Sequence, residues 1–188
     1  MKQMNIFMLL IVALFLVGCG GGQKAIQQAD TGDIPAWFMN VPSDPNYLFS
    51  PKTAVSQDMQ LAIDKASTDC RADIATQIEV KVNNLTKKFA EETGGGNDAN
   101  LQQYFSSVTK TVVSNTLTGT KIKEQKMVKD GTLWRAYVLM QYPLGAANEA
   151  LVLQIKKNQE MYTKIQASKS FKELDDETEK LDASKKQQ

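Results

Sequence analysis

Histidine is absent from all 188 residues. That removes the Ser-His-Asp triad, the Cys-His dyad and every histidine-bearing zinc site from the chemistry open to this chain. Cysteine is nearly absent, with Cys19 and Cys70 alone. Neither sign of charge is in excess, at 22 Lys+Arg against 21 Asp+Glu. No basic surplus therefore points to nucleic acid or to an anionic membrane surface as partner. No apolar run is long enough for a permanent span. The longest, Ile6 to Val17, has 12 residues. As a helix it covers about 18 Å, whereas a span takes about 20 residues. Gly94-Gly95-Gly96 lacks the trailing Gly-Lys-Ser/Thr of a phosphate-binding loop. The loop around it lacks the alternating acidic ligands of a calcium loop. No catalytic residue, metal ligand or diffusible cofactor is assigned.

What is present begins at the N-terminus. Met1-Lys2 is a short basic start, Ile6 to Val17 is apolar, and Leu16-Val17-Gly18-Cys19 precedes Gly20-Gly21-Gly22. This is the layout of a bacterial lipoprotein signal, with cleavage between Gly18 and Cys19. The alternatives are an ordinary secretory leader with an incidental cysteine, or a short membrane span. Lipidation needs a thiol at this point, because diacylglycerol is joined through a thioether. An N-acyl chain on the freed amine of Cys19 completes the anchor, and stable anchoring takes more than one chain. Residues 20–22 carry no acidic residue, which favours lipid-anchored placement in the outer membrane, facing the periplasm or the cell surface. Without residues 1–18 the chain has 170 residues, with 21 basic and 21 acidic side chains. Cys70 is then the sole thiol, without a disulfide partner, and is expected to be buried.

Residues 19–33 are polar, rich in Gly and Gln, and read as a tether. Ile34-Pro35-Ala36-Trp37-Phe38 opens the folded part as an apolar clamp. Pro42, Pro45 and Pro51 keep the next stretch irregular, leaving short strands at Tyr47 to Phe49 and near Thr53 to Val55. Ser56 to Ile78 reads as a helix, with Ser56 as N-cap and Asp58 in the first turn. Ile63, Ala66, Cys70, Ile74 and Ile78 form its apolar stripe. Ile78 to Val82 alternates and is expected to start a strand toward Phe89. Glu91 to Asn100 is a loop, and Asn100 to Asn115 a second helix. Leu117 to Val128 and Leu133 to Tyr142 flank Asp130-Gly131 as a hairpin. A two-residue turn centred there sets Lys126 opposite Arg135, so a three-residue loop with Gly131 in a bulge is preferred. Ala136, Val138 and Met140 are expected to face the helices.

Beyond Pro143, residues 144–188 read as one long helix or two, ending in a frayed Lys185-Lys186-Gln187-Gln188. Leu151, Ile155, Asn158, Tyr162 and Ile165 follow heptad spacing, then the pattern skips to Phe171, Leu174, Thr178 and Leu181. This seam either folds back on the domain or joins another molecule. Leu151, Ile155, Tyr162 and Ile165 are the candidate interaction residues.

The order of elements over residues 34–143 resembles the LPP-twenty family of twenty-kilodalton bacterial surface lipoproteins. The supporting features are Pro35-Ala36-Trp37, the alanines Ala62, Ala66, Ala72 and Ala75, and Gly119 leading the hairpin. Trp134-Arg135-Ala136-Tyr137-Val138-Leu139 forms the return strand. The resemblance implies an α+β domain with helices packed on a small antiparallel sheet. It also implies an outer-membrane lipoprotein without an established catalytic site, some relatives acting in envelope or flagellar assembly. Ser50-Pro51-Lys52-Thr53 departs from the family, which has a glycine-containing turn there.

The expected organisation is therefore a signal peptide at 1–18, a tether at 19–33, an α+β domain at 34–143 and a helical extension at 144–188. The expected function is that of a non-enzymatic, lipid-anchored envelope module that binds other envelope proteins or itself. The alternative is a binder of small ligands, lipid or cell-wall glycan, using Trp37, Trp134 and Tyr137, which are otherwise core aromatics. A paired-carboxylate hydrolase is the third reading. Glu91-Glu92 and Asp175-Asp176-Glu177, however, have the character of solvated faces.

Overall fold

The structure, a computed structural model, describes residues 34–185. The cleavage site at Gly18 and Cys19, the tether and the last three residues lie outside the described residues. Among the described residues nine elements follow in order: α1 (Ala36–Met39), β1 (Tyr47–Ser56), α2 (Met59–Glu92), α3 (Ala99–Gly119), β2 (Lys121–Asp130), β3 (Leu133–Pro143), α4 (Leu144–Lys156), α5 (Gln159–Ile165) and α6 (Lys169–Lys185). The strands form one antiparallel sheet in the order β1-β3-β2. Helices pack against it, and the fold class is α+β.

The backbone of this arrangement is α2, 34 residues long and about 51 Å from end to end. Asp58, rather than Ser56, caps it, accepting from the Leu61 amide at 2.7 Å. Ala62, Ala66, Cys70, Ile74, Ile78, Val82 and Phe89 form one buried line along it. The strand expected from Ile78 does not form. In the helix Ile78 and Val82 are buried four residues apart, while Glu79, Val80 and Lys81 point to solvent. The alternation of Ile-Glu-Val-Lys-Val satisfies both periods, and continuation of the apolar stripe decides for helix. The helix ends at Thr93 and Gly94, where Gly94 takes φ +74°. The Gly94 amide reaches the Glu91 carbonyl and the Gly95 amide the Ala90 carbonyl, a Schellman closure that favours glycine.

Small residues on the first half of α2 let it sit close to the sheet. The Cys70 Sγ lies 3.2 Å from the Ser50 carbonyl oxygen and 3.5 Å from that of Val138. Ala136, Val138 and Met140 turn toward this helix and are fully buried, as their alternation predicts. Pro51 does not interrupt β1, which runs unbroken through it. The strand lies at a sheet edge, where a missing N–H is tolerated.

The hairpin turns one residue later than expected. Asp130 pairs with Leu133 around a two-residue Gly131-Thr132 loop, and Gly131 has φ +60°. Arg135 therefore lies opposite Val128, and Lys126 opposite Tyr137. The like-charge pair is avoided by shifting the turn rather than by a bulge at Gly131. The bulge falls instead at Lys123, between Ile122 and Glu124. Leu117 to Gly119 belongs to α3, and the strand starts at Lys121.

The C-terminal seam is broken into three helices. Asn158 is not a seam residue but the cap of α5, accepting from the Met161 amide at 3.1 Å. Ser168 does the same for α6, its hydroxyl accepting from the Phe171 amide at 3.1 Å. These turns fold residues 144–185 onto the domain, so the expected boundary at 143/144 is not a break in packing. Phe171 meets Phe89 edge-to-face at 5.6 Å and Tyr162 at 5.9 Å.

Phe171→Ala is expected to cost about 3–5 kcal/mol, the usual range for a buried phenylalanine. Both tryptophans, Trp37 and Trp134, belong to the sheet end of the molecule. A lowered urea midpoint read by their fluorescence would show that α6 unfolds with the sheet. An unchanged midpoint would mean that it unfolds alone.

Candidate functional site

The four seam residues face inward. Leu151, Ile155 and Ile165 are 0–1 % exposed, and Tyr162 is half-buried against Phe171. They are brought together inside the domain's own core.

The proposed aromatic group does not converge. Trp37 and Tyr137 lie on the sheet face that α2 does not cover, joined through Phe38, whose ring meets Tyr137 at 5.0 Å. Trp134 lies on the other face, opposite Ser56 and Lys129, with the Lys129 ammonium 4.2 Å above its ring. Tyr137 and Leu139 are buried on the face turned away from α2. The apolar clamp at Ile34 to Phe38 thus crosses the back of the sheet.

A groove of about 420 Å³ opens between α2 and α3. Thr109 and Asn83 line it, the Thr109 hydroxyl donating to the Asn83 side-chain carbonyl at 3.0 Å. Thr86 and Phe105 line it, and Glu79, Lys87, Glu91 and Lys110 stand at its rim. Two charges of each sign give it no net polarity. Lys87 already faces Glu91 at 3.8 Å. The volume is of small-ligand size, and the lining mixes amide and hydroxyl groups with the apolar side chains of Phe105 and Ala90.

One polar cluster was not visible in the sequence. Glu92, the last residue of α2, accepts hydrogen bonds from the Ser168 hydroxyl at 2.7 Å, the Ser170 amide at 2.9 Å and the Ser170 hydroxyl. Donation from Ser170, through hydroxyl and amide, and from Ser168 holds its carboxyl at about 2, far below the ordinary 4.5. A carboxylate at the first turn of α6 also suits that helix's dipole. The partners are 76 and 78 positions apart. The only local signal is the Ser168-to-Phe171 spacing of an N-cap. Asp175 likewise belongs to a contact, with Lys156 at 2.6 Å. The arrangement ties elements together and presents no nucleophile.

Cys70 is fully buried, as expected. Burial pushes its thiol above the ordinary range, and a protonated thiol is a poor nucleophile. Among the described residues no cluster of acidic or cysteine side chains could hold a metal ion, and no helix is long and apolar enough to cross a membrane.

The chain matches no family model, no curated protein and no solved structure.

Two outcomes are expected. Glu92 is depressed in the folded state, so its contribution is complete above pH 4.5 and is lost as pH falls toward about 2. Glu92→Gln should lower the melting temperature at pH 7 and flatten the decline between those limits, followed by circular dichroism. Second, a disulfide reagent should leave the Cys70 thiol unmodified in the native protein and modify it at the rate of unfolding. Rapid native reaction would contradict its burial.

Proposed function

We propose that the chain is a lipid-anchored envelope protein whose folded domain binds or organises other envelope components, without catalysing a reaction. The observation that carries this is Leu16-Val17-Gly18-Cys19 at the end of a 12-residue apolar run. That run suits a leader and is too short for a span. Diacylglycerol and an N-acyl chain on Cys19 hold the protein in the outer membrane. The resemblance of residues 34–143 to the LPP-twenty family supports the same placement. Burial of Leu151, Ile155 and Ile165 moves the contact surface away from the C-terminal seam. A partner or a second copy meets the exposed faces of the sheet and of α2 instead.

The α2–α3 groove favours a second reading, as a site for a small, net-neutral polar ligand such as a short glycan. Asn83 and Thr109 in its lining, hydrogen-bonded to each other, offer the amide and hydroxyl groups this needs. Calorimetric titration with chitobiose tests it. Heat that disappears in Thr109→Val supports a ligand role, and no heat in the wild type discards it.

The main reading is tested at Cys19. Cells fed an alkyne-tagged fatty acid should label the wild type and leave Cys19→Ser unlabelled and released from the membrane fraction. Equal membrane retention without label would overturn the anchor.

A further inference from the structure

We propose that Asp130-Gly131 is a site of covalent modification, where the aspartyl residue rearranges through a cyclic imide to isoaspartate, and that Arg135 holds this rearrangement back.

The reaction needs no enzyme and no co-reactant besides water. The Gly131 amide nitrogen attacks the Asp130 side-chain Cγ and loses its proton. A five-membered imide closes as one carboxyl oxygen leaves as water. Water then opens the ring at either carbonyl. Opening at the Asp130 main-chain carbonyl leaves the chain running through the former side chain, one methylene longer, which is isoaspartate. Opening at the other carbonyl restores aspartate. No electrons change hands, and the water lost in the first step is regained in the second.

Glycine obstructs such a ring least, because it brings no Cβ to the approach. The chain holds one Asp-Gly pair and no Asn-Gly. The fold sets that pair at the tip of the hairpin, with both residues exposed. No atom lies within 4 Å of the point a Cβ on Gly131 would occupy. Space is therefore not what requires glycine here. Gly131 has φ +60° and Thr132 does not have a positive φ, the pattern of a type II′ turn with glycine first. The turn demands glycine at this position, and the susceptible dipeptide comes with it.

One side chain opposes the reaction. Arg135 donates from Nε at 3.1 Å and from Nη2 at 2.5 Å, both to Asp130 Oδ2. The ladder explains the pair. Asp130 lies opposite Leu133 and Val128 opposite Arg135, so Asp130 and Arg135 are diagonal neighbours on one side of the hairpin. Arg135 thus stands on the strand side of Asp130, and Gly131 on the loop side. The carboxyl group is drawn back over the strands and away from the Gly131 nitrogen. Ring closure requires both hydrogen bonds to break. What the pair protects is register, which in a hairpin is set by turn type and loop length. An extra methylene in this two-residue loop disturbs the Asp130–Leu133 pair that seats β2 on the central strand β3.

The full chain is held at neutral pH, and isoaspartate at position 130 is followed by peptide mass mapping and by labelling with an isoaspartyl methyltransferase. Arg135→Gln should raise the rate about fivefold, the most that an exposed ion pair ordinarily supplies, with circular dichroism showing the fold retained. In concentrated urea the wild type and the variant should react at one common rate, faster than that of the native wild type. Should Arg135→Gln fail to fold, Arg135→Lys keeps the cation and gives up the paired N–H groups, and its native rate should exceed that of the wild type. Equal native rates for the wild type and a folded variant overturn the proposal. So does a difference between them that persists in urea, or a wild type that reacts as fast folded as unfolded. An unfolded chain that forms isoaspartate elsewhere and not at position 130 overturns the site itself.

Discussion

The close approach of α2 to the sheet at Cys70 is the contact on which the remaining packing depends. With Sγ 3.2 Å from a β1 carbonyl and 3.5 Å from a β3 carbonyl, the helix straddles two strands at once. Ala62 and Ala66 make that distance possible, because larger side chains would lift the helix away. Farther along, the same line changes to Ile74, Ile78, Val82 and Phe89. The gap the helix must fill widens once it leaves the sheet. One continuous rod therefore serves two cores: a flat one under the strands, and a second built with α3, α4 and α6.

That second core explains how short C-terminal helices, two of them opened by a single capping side chain, stay in place. Apolar burial supplies the bulk, and polar ties fix the register. The Tyr104 hydroxyl donates to the Gln154 and Ile155 carbonyls at 2.8 and 3.2 Å, covering carbonyls at the end of α4 that have no partner inside it. Asp98 both caps α3 and holds Lys164 of α5 at 3.1 Å. Glu92 does the corresponding work for α6. Each tie joins a helix terminus to a side chain distant in sequence, so no single helix here is independently anchored.

These ties mark the limit of what sequence patterns disclosed. The apolar stripe from Ala66 to Ile78, the burial of Cys70, the hairpin and the inward face of β3 all follow from spacing alone. Spacing could not settle Ile78 to Val82, where the two periods coincide and the partner surface decides. The turn at Gly131 was displaced by one residue, because cross-strand charge and glycine φ together fix a register that neither fixes singly. Asn158 was misread because it sits at a heptad position and is also a good helix cap. The predicted interaction residues were legible as an apolar seam. Whether such a seam closes inward or outward is set by the turns between helices, at Asn158 and Ser168.

The two outer strands have a further consequence. Pro51 withdraws one donor from β1, and the Gln77 side chain occupies the Phe49 carbonyl at 3.2 Å. The opposite edge, β2, is crowded with charged side chains and kinked by its bulge. Both are devices that discourage strand-to-strand addition. Open strand borders are a hazard to any protein at high local concentration, and a sheet with blunted borders tolerates crowding without zipping to its neighbours. Any contact made at these borders is thereby left to side chains rather than to the backbone ladder.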